Sequence, residues 1–358
     1  MNDPNPPKND VSRRRAIGFR LIAIFLSLGS VLVLGECSTR TLKGAPFSTE
    51  PARSAVSHEL DGARAIYDAE LGYVPKPGRH VSHFVTTITP ERLRRADSMP
   101  RPPGPTILAT GDSFTFGDDV DDDQSWPAHL EVRLGRPVLN GGVFGYGLDQ
   151  SVLRAETLIQ IHRPSIVLLS MIPDDIERTE LAYRYAWKPY FHLAGHDLQL
   201  RNVPVPIAPP PTRFRALREA LRHSHLAHSI FRRVTPYWWY LDGNQQKVHD
   251  DGDEVARRLM KRIARHARKH DVRLPVVAQC DAFLETERLK PVLESAAAAG
   301  LEVLDLPDLI AESVRTGEWT LDELYLGREG GRFGGHHTPR ANQWIAMQIT
   351  AKLEQLGW

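Results

Sequence analysis

Gly111-Asp112-Ser113 closes a short apolar run, Thr106–Thr110, and far downstream Gly334-Gly335-His336-His337-Thr338-Pro339 stands just before the last helical pattern. These residue types suit acyl chemistry. A serine hydroxyl attacks a carbonyl effectively only when a base takes its proton and hydrogen-bond donors receive the oxyanion. The triplet alone decides nothing, since roughly one chain in ten of this length carries one by chance at average residue usage. The other parts must come from elsewhere in the chain. LNGGVFGYG, Leu139 to Gly147, offers bare backbone N–H groups; MIPDDIER brings Asp174 and Asp175; the histidine pair offers a base. Gly111 and Gly117 flank the serine and let the backbone turn sharply against a ligand. The spacing is not G-x-S-x-G, so the strained nucleophile elbow of the α/β-hydrolases is absent.

These residues are useful only if the fold brings them to one edge. TILAT, RPVLNGG, SIVLLSMI, LPVVAQC and LEVLDL read as five short apolar strands, and SIVLLSMI, with no polar alternation, is buried on both faces. Between and after them lie amphipathic helical patterns: SWPAHLEVRL with Ser125 as N-cap, LDQSVLRAETLIQIH, about Glu254 to Lys269, about Arg288 to Ala299, and a closing helix capped by Thr338 with Pro339 after it. The alternation predicts an α/β fold, a flavodoxin-like three-layer α/β/α arrangement on a mostly parallel five-stranded sheet. In such sheets ligands bind at the carboxyl ends of the strands, where Ser113, the glycine run and Asp174 all fall.

In order and spacing these blocks resemble the SGNH (GDSL-type) hydrolase family over roughly residues 105–355. Gly111-Asp112-Ser113 matches its first block, which implies Ser113 as nucleophile and, through its N–H, as an oxyanion donor. Asn140, Gly142 and Gly145 match Asn-x-Gly-x-x-Gly, which implies an oxyanion N–H from Gly142. Ile172-Pro173-Asp174-Asp175 falls where the family has Gly-x-Asn-Asp, so the amide donor has become Asp174, a carboxylate. His336 fits the His-x-Thr-Pro register and is implied as the base; His337 is out of step. The aspartate expected before it is missing, with Phe333 and Gly334 in its place. A backbone carbonyl, or Glu329, is left to orient the imidazole, with Asp322 a weaker choice. GDSFTFG, NGGVFGYGLDQ and NVPVP look like membrane-anchored bacterial members found with surface-polysaccharide machinery. The resemblance implies a serine esterase hydrolysing or transferring O-acyl groups, with O-acylated carbohydrate or another small ester as partner, no cofactor and no metal. The alternative is a catalytically weak domain of the same fold that binds polysaccharide or scaffolds an envelope complex.

Bulk composition permits one large core: 358 residues, 41% hydrophobic and 25% charged. A net charge of +1 gives no reason to expect nucleic acid. Cys37 and Cys280, far apart, suggest neither a disulfide framework nor a metal site. Arg13, Arg14, Arg15 and Arg20 precede or abut LIAIFLSLGSVLVLG, an uncharged stretch that nears the roughly 20 residues needed to span a bilayer. Positive charge on its N-terminal side places that end in the cytoplasm and the remainder in the periplasm, with a single inner-membrane helix as anchor. A cleaved signal peptide is the competing reading. The expected order is a cytoplasmic tail (1–15), a signal-anchor (16–36), an extended linker with short strands (37–104) and the hydrolase-like domain (105–358). Within that domain, residues 180–250 form an insertion. The insertion reads as a hairpin turning at Ala194–Asp197, a proline-rich stretch and a helix from about Arg213 to Arg233. His223, His225 and His228 are read as surface histidines, and the Tyr237–Tyr240 aromatics as packing the insertion onto the core.

Overall fold

The computed structural model describes residues 8–44, 64–95, 102–184, 186–207, 217, 220–221, 223–234, 245–282, 286–327 and 335–358. Glu329 and the Tyr237–Tyr240 run lie outside the described residues. The chain forms two compact units, residues 56–210 with 244–358, and residues 1–55 with 211–243.

The smaller unit opens with α1 (Lys8–Lys43), whose segment Ile17–Leu42 contains an 18-residue window with a mean hydropathy of 2.3 and is long enough to cross a membrane. The larger unit begins with two antiparallel pairs, β1 (Ala65–Asp68) with β2 (Gly72–Pro75), and β3 (Gly78–Val81) with β4 (Val85–Ile88). The segment read as a linker with short strands carries four of them among the described residues.

Next come β5 (Ile107–Thr110), α2 (Ser113–Phe116), α3 (Trp126–Leu134), β6 (Val138–Asn140), α4 (Leu148–His162), β7 (Ile166–Met171) and α5 (Pro173–Arg178). The insertion supplies β8 (Leu181–Arg184), β9 (Ala186–Trp187) and a hairpin of β10 (Tyr190–Ala194) with β11 (Asp197–Arg201), turning where the sequence indicated. The chain returns to the smaller unit as α6 (His225–Val234), then re-enters the larger one at β12 (Gln245–Lys247), which pairs with β8. It ends with α7 (Gly252–Lys269), β13 (Val276–Ala278), α8 (Leu289–Ala298), β14 (Val303–Asp305), α9 (Leu306–Arg315), α10 (Leu321–Leu324) and α11 (Pro339–Gln355).

The central sheet has five strands in the order β14-β13-β7-β5-β6, every neighbouring pair parallel. Alternate residues of each strand serve opposite faces. Leu108, Val167, Leu169 and Val276 pack with α4, α7 and α8; Ile107, Ala109, Ile166, Leu168 and Val277 pack with α3, α9 and α11. This is the doubly wound three-layer α/β/α fold that the strand–helix alternation predicts. One boundary differs. LEVLDL was expected to stay extended, but Leu306 already begins α9, because Asp305 precedes a proline at the second helical position and the chain turns there.

Candidate active site

Ser113 is placed by the end of β5. The strand stops at Thr110, Gly111 turns the chain, and α2 starts at Ser113 with the Asp112 carboxylate accepting the Phe114 N–H at 3.0 Å. A side chain at Gly111 would lie 2.8 Å from the Ser170 carbonyl of β7, so the close approach of α2 to the sheet needs glycine.

His336 lies opposite. Its Nε2 is 2.9 Å from Ser113 Oγ, and its Nδ1 is 2.7 Å from Asp119 Oδ2. A carboxylate can only accept, so Nδ1 carries the proton and Nε2 faces the hydroxyl as the acceptor. Burial disfavours a charged imidazole here. The Asp119 hydrogen bond and the charges of Asp118, Asp119 and Asp112 outweigh that effect and raise the His336 pKa above the ordinary imidazole value. Asp119, 53% exposed, has its carboxyl pKa lowered chiefly by its hydrogen bond to His336. His337 does something else. Its ring packs edge-on to Phe114 at 5.0 Å and against Tyr325 at 4.9 Å, and burial pushes its pKa down to about 3, so it stays neutral within the core.

Asp119 was missed by the sequence reading, which turned to Glu329, Asp322 or a backbone carbonyl. Asp322 lies in the first turn of α10, while the carboxylate on His336 comes from six residues after the serine. Gly117 ends α2 in the left-handed region (φ 84°), and Asp119 is itself left-handed (φ 64°). These two reversals turn the chain so that Asp119 comes back alongside the histidine. The signal was the left-handed tolerance of Asp after Gly, but GDDVDDD holds five carboxylates and gives no register among them.

The anticipated oxyanion donors are placed less uniformly. The Gly142 N–H is occupied, donating to Asn140 Oδ1 at 3.0 Å, while Asn140 Nδ2 donates to the Thr115 and Phe116 carbonyls. Asp174 turns outward, its side chain 60% exposed and 3.2 Å from Arg178 Nη2. By contrast, the N–H groups of Ser113 and Gly145 have no acceptor among the described residues. Gly145 has φ 72°, and its carbonyl accepts from Arg184 at 2.7 Å. The next carbonyl, Tyr146 O, accepts from Arg178 Nη1 at 3.0 Å; the same nitrogen lies 3.3 Å from Asp112 and 2.7 Å from Asp175. One guanidinium thus ties the glycine loop, the residue before the serine and α5 together. Burial pushes the Asp112 and Asp175 carboxyls up, and Asp175 is raised further by the Asp112 charge, against the pull of Arg178.

No protein-family model and no curated protein matches the chain. Among solved structures it is similar to a lipolytic protein of the G-D-S-L family from Desulfitobacterium hafniense, at 13% identity and a TM-score of 0.38, over 69% of this chain and 99% of that one. It is also similar to an acetyl xylan esterase from Geobacillus stearothermophilus, at 12% identity and a TM-score of 0.40, over 70% and 94%. A lipase/acylhydrolase from Enterococcus faecalis gives 12% identity and a TM-score of 0.39, over 70% and 96%.

Proposed function

We propose that the chain is a serine esterase acting on O-acyl groups. The observation that carries this reading is the relay itself: Ser113 Oγ to His336 Nε2 at 2.9 Å, and His336 Nδ1 to Asp119 Oδ2 at 2.7 Å. In the proposed reaction His336 takes the serine proton as Oγ attacks the ester carbonyl, then returns it to the departing alcohol. Water, activated by the same nitrogen, releases the acid from the acyl-enzyme and restores Ser113. The Asp119 carboxylate holds the tautomer and stabilises the imidazolium. We assign the oxyanion to the N–H groups of Ser113 and Gly145. The role expected of Gly142 moves to Gly145 because the Gly142 N–H already has Asn140 as acceptor. Asp174, an acceptor pointing outward, takes no part.

The finer substrate we propose is acylated carbohydrate. A cleft of about 310 Å³ bordered by Tyr73 and Tyr183, with the exposed Tyr67 and the half-buried Trp187 at its rim, supports it, since accessible aromatic faces suit a sugar ring. Tyr73 joins that cleft to the glycine loop by donating to the Phe144 carbonyl at 2.8 Å. With α1 as an uncleaved anchor, the esterase would face the periplasm from the inner membrane. The test is hydrolysis of p-nitrophenyl acetate by the full chain with Ser113→Ala as control. A Ser113-dependent rate at least about a thousandfold above the variant is expected; equal rates would sink the esterase reading. Acetate release from acetylated oligosaccharides then tests the substrate.

A further inference from the structure

Arg94 follows β4 in a segment that the sequence placed outside the hydrolase-like domain, yet its side chain is 1% exposed and ends beneath the Asp119 turn. Burying a guanidinium is costly unless its donors are met, and an arginine carries five of them in a planar fork. Here Nε donates to Asp122 Oδ1 at 3.0 Å, Nη1 to the Phe116 carbonyl at 2.9 Å and to that of Gly117, and Nη2 to Val120 O at 2.7 Å and Val85 O at 3.4 Å. Three of these carbonyls, from Phe116, Gly117 and Val120, bracket Asp118 and Asp119. The fork is itself held, since Asp122 Oδ1 accepts the Thr87 N–H of β4 at 3.0 Å and the Arg94 N–H donates to Asn140 O of β6 at 2.9 Å.

We propose that Arg94 is a positioning residue of the relay, fixing the turn from Gly117 to Val120 so that the Asp119 carboxylate meets His336 Nδ1. The proposal rests on the serine-esterase reading. The turn's own backbone bonds, from the Gly117 and Asp118 N–H groups to the Ser113 carbonyl, hold its first side, and the rigid fork on the Gly117 and Val120 carbonyls holds the side that carries Asp119. Lysine, a point charge on a flexible stem, cannot span the same carbonyls. A loosened turn would let Asp119 drift from the imidazole and remove a contact that favours the charged ring. The other groups facing His336 are Asp112, Asp118 and the neutral His337, with Arg64 paired to Asp118. Asp118 and Arg64 also act on the Arg94 charge, which Arg94→Lys retains, so the substitution changes the fork and not the field.

The experiment is the pH profile of kcat/KM on p-nitrophenyl acetate for the full chain, wild type against Arg94→Lys. In the variant the acid limb should move to lower pH. kcat should fall about tenfold to a hundredfold, the scale of a misplaced catalytic group, with KM within about threefold. In an Asp119→Ala background, Arg94→Lys should move the limb no further, because both act through one contact. A purely structural arginine would lower the melting temperature and leave the limb in place, and that result, or additive limb shifts, overturns the proposal. If Arg94→Lys does not fold, Asp122→Asn loosens the fork more gently and should move the limb the same way; an unmoved limb there also overturns it. A wild type without Ser113-dependent turnover removes the esterase reading and this inference together.

Discussion

At Asp119 a half-exposed side chain in a sparsely populated backbone region meets a largely buried histidine, and such local strain is kept where surrounding contacts over-determine it. The pH consequences follow from the signs. His336 is raised, so its share of stability from the pair is present at low pH and lost as pH rises through that raised value. Asp119 is lowered, so its share is present above the ordinary carboxylate value and lost as pH falls through the lowered one. Catalysis runs the other way, because the base must be neutral, so activity rises as pH climbs through the raised His336 value. Asp119→Ala should therefore shift the acid limb of kcat/KM to lower pH and cut plateau kcat by about tenfold to a thousandfold. An unmoved limb would show that Asp119 does not hold His336 in solution. Asp174→Asn makes the opposite point. With its side chain directed at solvent and Arg178, the substitution should leave kcat within about threefold; a tenfold loss, with folding intact, would show that the carboxyl is needed. Ser113 and His336 were legible because each sits at a punctuation point, a strand end and a helix cap. Asp119 was not, since one carboxylate among five neighbours is selected by two left-handed turns that leave only a weak trace in sequence.

Elements were easier to read than the contacts between them. All five sheet strands could be located from sequence, the inner ones because they are apolar on both sides under helices covering both faces, while β14 at the edge is only half-buried and ends on Asp305. What stayed hidden was the use of β3–β4 and the chain after them. An arginine in a mixed, proline-flanked stretch looks like a solvated residue, and only the fold supplies the carbonyls that make Arg94 a core group. The junction between α2 and the acidic turn is the most sensitive point of this arrangement. A Cβ at Gly117 would lie 2.6 Å from Ser125 Cβ and 2.9 Å from Arg94 Nη1, on a backbone with φ 84°. Gly117→Ala should cost about 1–3 kcal/mol of stability and lower kcat by displacing Asp119. Urea unfolding and single-turnover acylation measure the two effects. A stable variant with wild-type acylation would mean the turn does not set the relay.

At the scale of the whole molecule, the proposed anchor decides on which side of a membrane the proposed esterase works. α1 exposes Leu21, Ile22, Ile24 and Val31 to Leu34, a surface that water does not favour and a bilayer does. The one carboxylate in this stretch, Glu36, is fully engaged within the smaller unit. It accepts from Ser224 Oγ at 2.8 Å, from the His225 and Leu226 N–H groups at 2.9 and 2.8 Å, and from Arg40 at 2.6 Å. That places the first residues of α6 at the far end of the apolar segment, where a span of about 20 residues counted from Ile17 reaches the opposite interface. Basic residues are denser on the N-terminal side, at Arg13, Arg14, Arg15 and Arg20, than on the far side, where Arg40 and Lys43 follow the apolar run. On the anchor reading that we propose, the positive-inside bias would orient the helix with its start in the cytoplasm and the chain after Leu42 across the membrane. Alkaline phosphatase fused after Trp358 should be active in intact cells, while a fluorescent protein that folds only in the cytoplasm should stay dark at the same position. The membrane fraction should yield the fusion with its N-terminal residues intact by mass. A dark phosphatase fusion with a bright cytoplasmic reporter would invert the topology. An active phosphatase on a soluble product lacking α1 would keep the export and replace the anchor with a cleaved signal.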